Sequence, residues 1–193
     1  MKYVVMATAL AALAAPAVAQ PFAGPWVGAE AALEDYGPHQ GEAFALVAGF
    51  DIAIAERWNA GVGGRWTAAG VTETERVRRG QNTSTTRVAL EDQWGVTARV
   101  GRRFGERFFV FAEAGYERFH VNAVRELRAD VCAPPNGCLI SRLDGSFDEE
   151  MPTVGLGAEW ALTEQASLKA SYAYGDSDAF ERNRFSLSAG WRF

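Results

Sequence analysis

Lysine is almost missing from this chain of 193 residues, with only Lys2 and Lys169, so its basic side is carried by arginine. Two histidines, His39 and His120, and two cysteines, Cys132 and Cys138, are too few and too scattered for a zinc ligand set. No cofactor-binding or metal-binding pattern stands out. An excess of positive charge is also absent. The formal net charge of −5 argues against nucleic-acid partners, which need a basic face to neutralise phosphates. Beyond the N-terminal region no stretch holds eighteen apolar residues in a row, which excludes a membrane helix there.

The first nineteen residues look like an export signal. Met1-Lys2 is followed by an apolar run from Tyr3 to Ala15, then Pro16 and Ala17-Val18-Ala19. Small residues at Ala17 and Ala19 fit a signal-peptidase site between Ala19 and Gln20. An uncleaved anchor is the competing reading. Residues 20–193 then form one exported domain, and Cys132 and Cys138, flanking Ala-Pro-Pro-Asn-Gly, are expected to close a small disulfide loop.

What fills the rest is a period of two. Val27, Ala29, Ala31 and Leu33 alternate with Trp26, Gly28, Glu30 and Ala32, and Phe44, Leu46, Ala48, Phe50 and Ile52 with Ala45, Val47, Gly49 and Asp51. The pattern recurs over Ala60–Ala68, Gln93–Gly101, Phe108–Glu117, Val154–Trp160, Leu168–Tyr174 and Phe185–Phe193. In the run from Phe108, Val110, Ala112, Ala114 and Tyr116 share the apolar face, because Glu113 and Gly115 suit the polar one. Eight strands of about ten residues follow, the length that crosses a bilayer core when tilted.

The connections alternate. Tight turns fall near Ala55-Glu56-Arg57, Phe104-Gly105-Glu106 and Thr163-Glu164-Gln165, and longer polar connections near 35–42, 70–92, 118–150 and 176–183, the second of which is a candidate to extend its two strands beyond the membrane. Short turns on one side and long loops on the other are the layout of outer-membrane barrels. Aromatics mark two levels on the apolar face. Trp58, Phe50, Trp160, Trp191 and Phe193 lie near the turns; Trp66, Trp94, Tyr116, Tyr174 and Phe185 lie about eight residues along.

On the opposite face Glu30, Asp51, Glu113 and Glu159 meet Arg65, Arg99, Lys169 and Arg192. An eight-stranded barrel is just wide enough to be filled by side chains, so these charges are expected to pair and plug the lumen. A soluble, lipocalin-like secreted barrel would invert the two faces. The paired aromatic levels and the one-sided short turns oppose that inversion.

The export signal, the opening strand Pro25-Trp26-Val27-Gly28-Ala29 and the closing strand Phe185–Phe193 resemble the eight-stranded outer-membrane β-barrel family. That family includes the membrane domain of OmpA, OmpX and the opacity-type surface proteins. The resemblance implies an antiparallel up-and-down transmembrane barrel in the bacterial outer membrane, with outer-membrane lipid and lipopolysaccharide as surroundings. It further implies that Phe185, Leu187, Ala189, Trp191 and Phe193 form the signal read by the barrel-assembly machinery.

The functional expectation is a monomeric, non-enzymatic surface protein displaying charged loops. Arg76, Arg78 and Arg79 are candidates for lipopolysaccharide phosphates. A lipid A-modifying enzyme is the alternative, with His120 as its base; no serine lies close to His120 in sequence. A small channel is the third reading.

Overall fold

The computed structural model describes residues 22–37, 40–69, 72–129, 138–178 and 181–193. The proposed export signal with its Ala19–Gln20 cleavage point, His39 and Cys132 fall outside them, as does the side chain of Cys138.

Among the described residues there is no helix. Nine antiparallel strands form one sheet: β1 (Gly24–Asp35), β2 (Gln40–Ala55), β3 (Trp58–Ala69), β4 (Thr72–Arg79), β5 (Asn82–Phe104), β6 (Phe108–Ala129), β7 (Cys138–Ala161), β8 (Ala166–Asp176) and β9 (Glu181–Arg192). Each strand pairs with the next in sequence except β3, which pairs not with β4 but with β5, from Trp58 opposite Arg102 to Trp66 opposite Trp94. The last strand returns to the first, Trp26 opposite Arg192. The sheet is thus closed on itself. β3 and β4 occupy successive lengths beside β5, so the wall has eight staves although nine strands are formed.

Closure follows from chemistry. In hydrocarbon no water can satisfy an unpaired amide, so a spanning sheet cannot keep an edge. Leu33, Leu46, Val62, Val96, Val154, Leu156 and Leu187 all point outward and are more than half exposed, an arrangement water would not tolerate over a whole wall. Both aromatic levels lie on this outer surface: Trp58, Phe50, Trp160, Trp191 and Phe193 at one, Trp66, Trp94, Tyr116 and Phe185 at the other. The phase chosen for the strand from Phe108 holds, with Val110 and Tyr116 exposed and Phe109, Phe111 and Glu117 buried.

The tight turns fall at 56–57, 105–107 and 162–165. Gly105 takes φ +68°, a conformation open to glycine at little cost.

Of the long connections, 70–92 extends its strands and 118–150, expected as a loop, needs correction. Most of 70–92 is hairpin, β4 pairing with β5 from Thr72–Ala89 to Arg79–Asn82, and most of 118–150 is strand, β6 pairing with β7 out to Ala129–Cys138. β5, β6 and β7 therefore run 23, 22 and 24 residues, roughly twice what the membrane needs. Their outer halves, with β4, make a four-stranded sheet standing above the wall. Alternation is weak there because, beyond Ala89, Phe119 and Val121, the described side chains are not buried on either face, so the period-two signal that marks the wall fades.

Because closure removes every edge within the bilayer, the barrel should resist dodecyl sulfate at room temperature. Unboiled and boiled samples are expected to migrate as separate bands; a single unshifted band would contradict a closed wall.

Candidate functional site

Inside the barrel the sequence alternation delivers charges from every stave. Six carboxylates (Glu30, Glu34, Asp51, Glu113, Glu117 and Glu159) line the interior with six cations (Arg65, Arg99, Lys169, Arg182, Arg184 and Arg192). Such groups are tolerated away from water only when paired.

Near the turn side the pairing is a closed cycle drawn from four strands. Arg99 grips Asp51 with two bonds, Nε to Oδ1 at 2.8 Å and Nη2 to Oδ2 at 2.6 Å. Arg192 donates to Asp51 Oδ2 at 3.0 Å and to Glu159 Oε1 at 3.1 Å. Arg99 Nη1 completes the ring 3.2 Å from Glu159 Oε2. Ser167 adds a hydroxyl to Glu159 at 2.8 Å.

The second cluster sits toward the long-loop side. Arg65 reaches Glu30 at 2.9 Å and Glu34 at 3.1 Å, while Arg182 and Arg184 converge on Glu117 at 2.8 and 2.6 Å. Lys169 lies between the clusters, 3.9 Å from Glu30 and 5.7 Å from the Trp26 ring. Glu113 is on the interior wall beside Gly155 and, among the described residues, joins neither cluster.

All eight lumen charges expected from sequence face inward. Four more join them: Glu34 and Glu117 end runs read as strand from the sequence, and Arg182 and Arg184 precede the run that begins at Phe185. Extending the inward parity by one or two steps would have found them.

Apolar groups cap both ends of this polar column. Phe22, Phe109 and Phe111 pack together at the turn side, with ring centroids 5.6 and 5.4 Å apart. Asn59 Nδ2 donates to the Phe22 carbonyl at 2.8 Å. Tyr36, Phe119, Val121 and Met151 form the other cap, and the Arg182 guanidinium lies 4.9 Å over the Phe119 ring.

Above the wall, parity along β5 inverts. Glu91 faces His120 and Trp94 faces Arg118, so two residues of β5, Asp92 and Gln93, stand against Phe119 alone. This bulge lets Gln93 turn inward, where its Oε1 accepts from Thr67, and brings Arg87 onto the outward face. On that face Asp148 Oδ1 lies 2.8 Å from Nδ1 of His120, and Oδ2 accepts from Arg118 at 2.7 Å. Glu126 takes Arg128 at 3.0 Å and Arg142 at 3.4 Å, and Arg142 also holds Asp144 at 3.1 Å. Ser146, paired with Asn122, stands diagonal to His120 across the ladder, a proximity that spacing along the chain did not show. No hydrogen bond joins Ser146 to His120 among the described residues. Of the three arginines picked out in sequence, Arg76 and Arg78 are exposed on alternate positions of β4, and Arg79 closes the hairpin opposite Asn82.

A closed antiparallel wall that is apolar outside, charge-filled inside and girdled twice by aromatics defines a bacterial outer-membrane β-barrel protein. A profile of the outer membrane protein beta-barrel domain matches residues 5–193, and the chain belongs to that family. Its place is the bacterial outer membrane. The barrel is similar in structure to Ail, the attachment invasion locus protein of Yersinia pestis. The complex of Ail with the heparin analogue sucrose octasulfate superposes with TM-score 0.51 at 14% identity, covering 88% of this chain and 96% of that one. Ail alone gives 0.50 at 16%, over the same shares. Neisserial surface protein A gives 0.42 at 13%, again over 88% and 96%. No curated protein sequence matches the chain.

Gly61 abuts the turn-side cycle, since a Cβ there would fall 1.8 Å from Asp51 Oδ1, whereas one on Gly64 would meet nothing closer than 3.8 Å. Gly61→Ala should therefore cost about 1–3 kcal/mol in urea unfolding from lipid vesicles, with Gly64→Ala near wild type. Equal effects would mean that the cycle is not tightly packed. Asp51→Ala should cost more, about 3–5 kcal/mol, because Arg99 and Arg192 would then share Glu159 alone.

Outside the membrane, the hydrogen bond from His120 and then that from Arg118 hold the Asp148 carboxyl below its ordinary range. A carboxylate with a lowered value in the folded state lends stability above its unfolded pKa of about 3.9, lost as pH falls through the lowered value. A carbon NMR titration should place the Asp148 midpoint below that of a free aspartate; a midpoint at or above it would remove the clip.

Proposed function

We propose that the protein is a non-enzymatic surface protein whose barrel is a sealed anchor and whose working part is the extracellular sheet. The observation that carries this reading is the prolongation of β5, β6 and β7 well past the membrane, with β4 added beside them. A chain that only had to span would stop near ten residues per strand. The outer halves of β5 to β7, with β4, instead hold a defined, charged surface to the medium.

Two edges of that sheet lack a neighbouring strand among the described residues: β4 from Thr72 to Arg79, and β7 before Thr153, where pairing with β8 begins. Unpaired edges and rigid, exposed faces are the surfaces through which sheets meet partners. Support for a plugged lumen comes from the charge cycle, the second cluster and the two apolar caps.

An enzymatic reading gains little. His120 has its orienting carboxylate in Asp148, but Asp148 is shared with Arg118, and no nucleophile is hydrogen-bonded to the imidazole among the described residues. Assembly by the barrel-assembly machinery through Phe185, Leu187, Ala189, Trp191 and Phe193, and a monomeric state, belong to the same proposal.

Purified protein in planar bilayers should show no stable nanosiemens conductance, and cells expressing it should bind a surface or partner cell better than cells carrying a variant whose β4–β5 hairpin is cut back to the membrane. Folding of the variant is checked by its heat-dependent gel shift. A stable pore, or a changed lipid A profile that His120→Ala abolishes, would overturn the reading.

A further inference from the structure

We infer that the outward face of the extracellular sheet carries a binding site for a phosphorylated sugar of the surrounding glycolipid headgroups. The inference deepens the proposed function and rests on its reading of the sheet as facing the medium.

A cavity of about 510 Å³ opens on that face, lined by Arg87 and Ala89 of β5, Asn122 and Val124 of β6, and Asp144 and Ser146 of β7. Its volume is in the range of small-ligand sites. The lining has the mix that a sugar requires. An amide, a hydroxyl and a carboxylate can exchange hydrogen bonds with ring hydroxyls, and Ala89 and Val124 offer apolar contact to the ring's C–H face.

The charge balance adds the phosphate. Arg118, Arg128 and Arg142 are held by Asp148, Glu126 and Asp144. Arg87 differs: it is exposed, and among the described residues no carboxylate forms an ion pair with it. A guanidinium presents a fork that fits two phosphate oxygens. Along β4 and β5 the same face continues with Thr74 opposite Arg87 and Arg76 opposite Thr85, cation and hydroxyl side by side.

Position selects the source of the sugar. The face is continuous with the lipid-facing wall, because β6 runs without a break from Tyr116 through Arg118 and His120 to Asn122. Arg87 stands seven residues past Trp94 of the outer aromatic level, one of them taken up by the bulge, so the distance along the sheet is about 20 Å at roughly 3.3 Å per residue. That puts it level with the sugars of a glycolipid headgroup, above the acyl chains.

The test uses the whole protein in nanodiscs of neutral phosphatidylcholine, titrated with lipid-free phosphorylated core oligosaccharide and followed by amide chemical shifts. Shifts should appear at Arg87, Asn122 and Ser146, and phosphatase treatment of the sugar should weaken binding about tenfold. Arg87→Gln should lose a similar factor and become insensitive to the phosphatase, while Arg125→Gln, on the opposite face, should bind as wild type. Each variant is first shown to give the heat-dependent gel shift. Unchanged binding by Arg87→Gln, or equal binding of the treated sugar, would overturn the site. Tighter, Arg87-dependent binding of soluble heparin than of the same phosphorylated glycolipid placed in the nanodisc would overturn the membrane source. A protein that lost its adhesive role but kept these shifts would sink the functional reading and leave the site standing.

Discussion

Everything in this molecule depends on the pairing of β3 with β5. It is the contact that joins one end of the nine-strand order to the other flank, and without it two edges of amide groups would face hydrocarbon, each unsatisfied group costing several kcal/mol. Closure fixes which face looks inward, and a narrow ring of eight staves then forces the inward side chains against each other. The charge pairs that reach across the ring are consequences of that single constraint.

Filling the ring with charge raises an energetic difficulty that the pairing pattern resolves. An isolated buried ion is prohibitive, and even a buried pair gains little beyond what apolar packing would give. Here Asp51 and Glu159 are each shared by Arg99 and Arg192, so the lone pairs of two carboxylates and the forks of two guanidinia are used together. The cycle ties β2, β5, β7 and β9 across the axis, a link that backbone ladders between neighbouring strands cannot supply. Removing one partner strands the others, whereas the outer wall tolerates change wherever apolarity is kept.

The same polypeptide answers a different solvent above the membrane. Closure is no longer required there, so β4 to β7 continue as an open sheet, and the bulge at Asp92–Gln93 marks where one regime gives way to the other. Below it every second residue of β5 faces lipid; above it the opposite set faces outward. Arg87 owes its exposure beside Asn122 and Ser146 to that one extra residue.

Strict alternation made the wall, its phase and eight of the lumen charges legible in the sequence, because one face meets hydrocarbon and the other meets charges, and a period of two is the only spacing that serves both. The turns were legible too, since glycine and short polar runs interrupt the alternation. Three things needed the folded chain. The inward roles of Glu34 and Glu117, at the last positions of their runs, and of Arg182 and Arg184, ahead of the run from Phe185, lie where the pattern fades into polar connections. The partners within the lumen are set by which staves face across the ring, a relation between residues as distant as Asp51 and Arg192. The extracellular sheet, water on both faces, carries no periodic signal at all, so its strands and the cavity beside Arg87 exist only through register, which tertiary pairing alone decides.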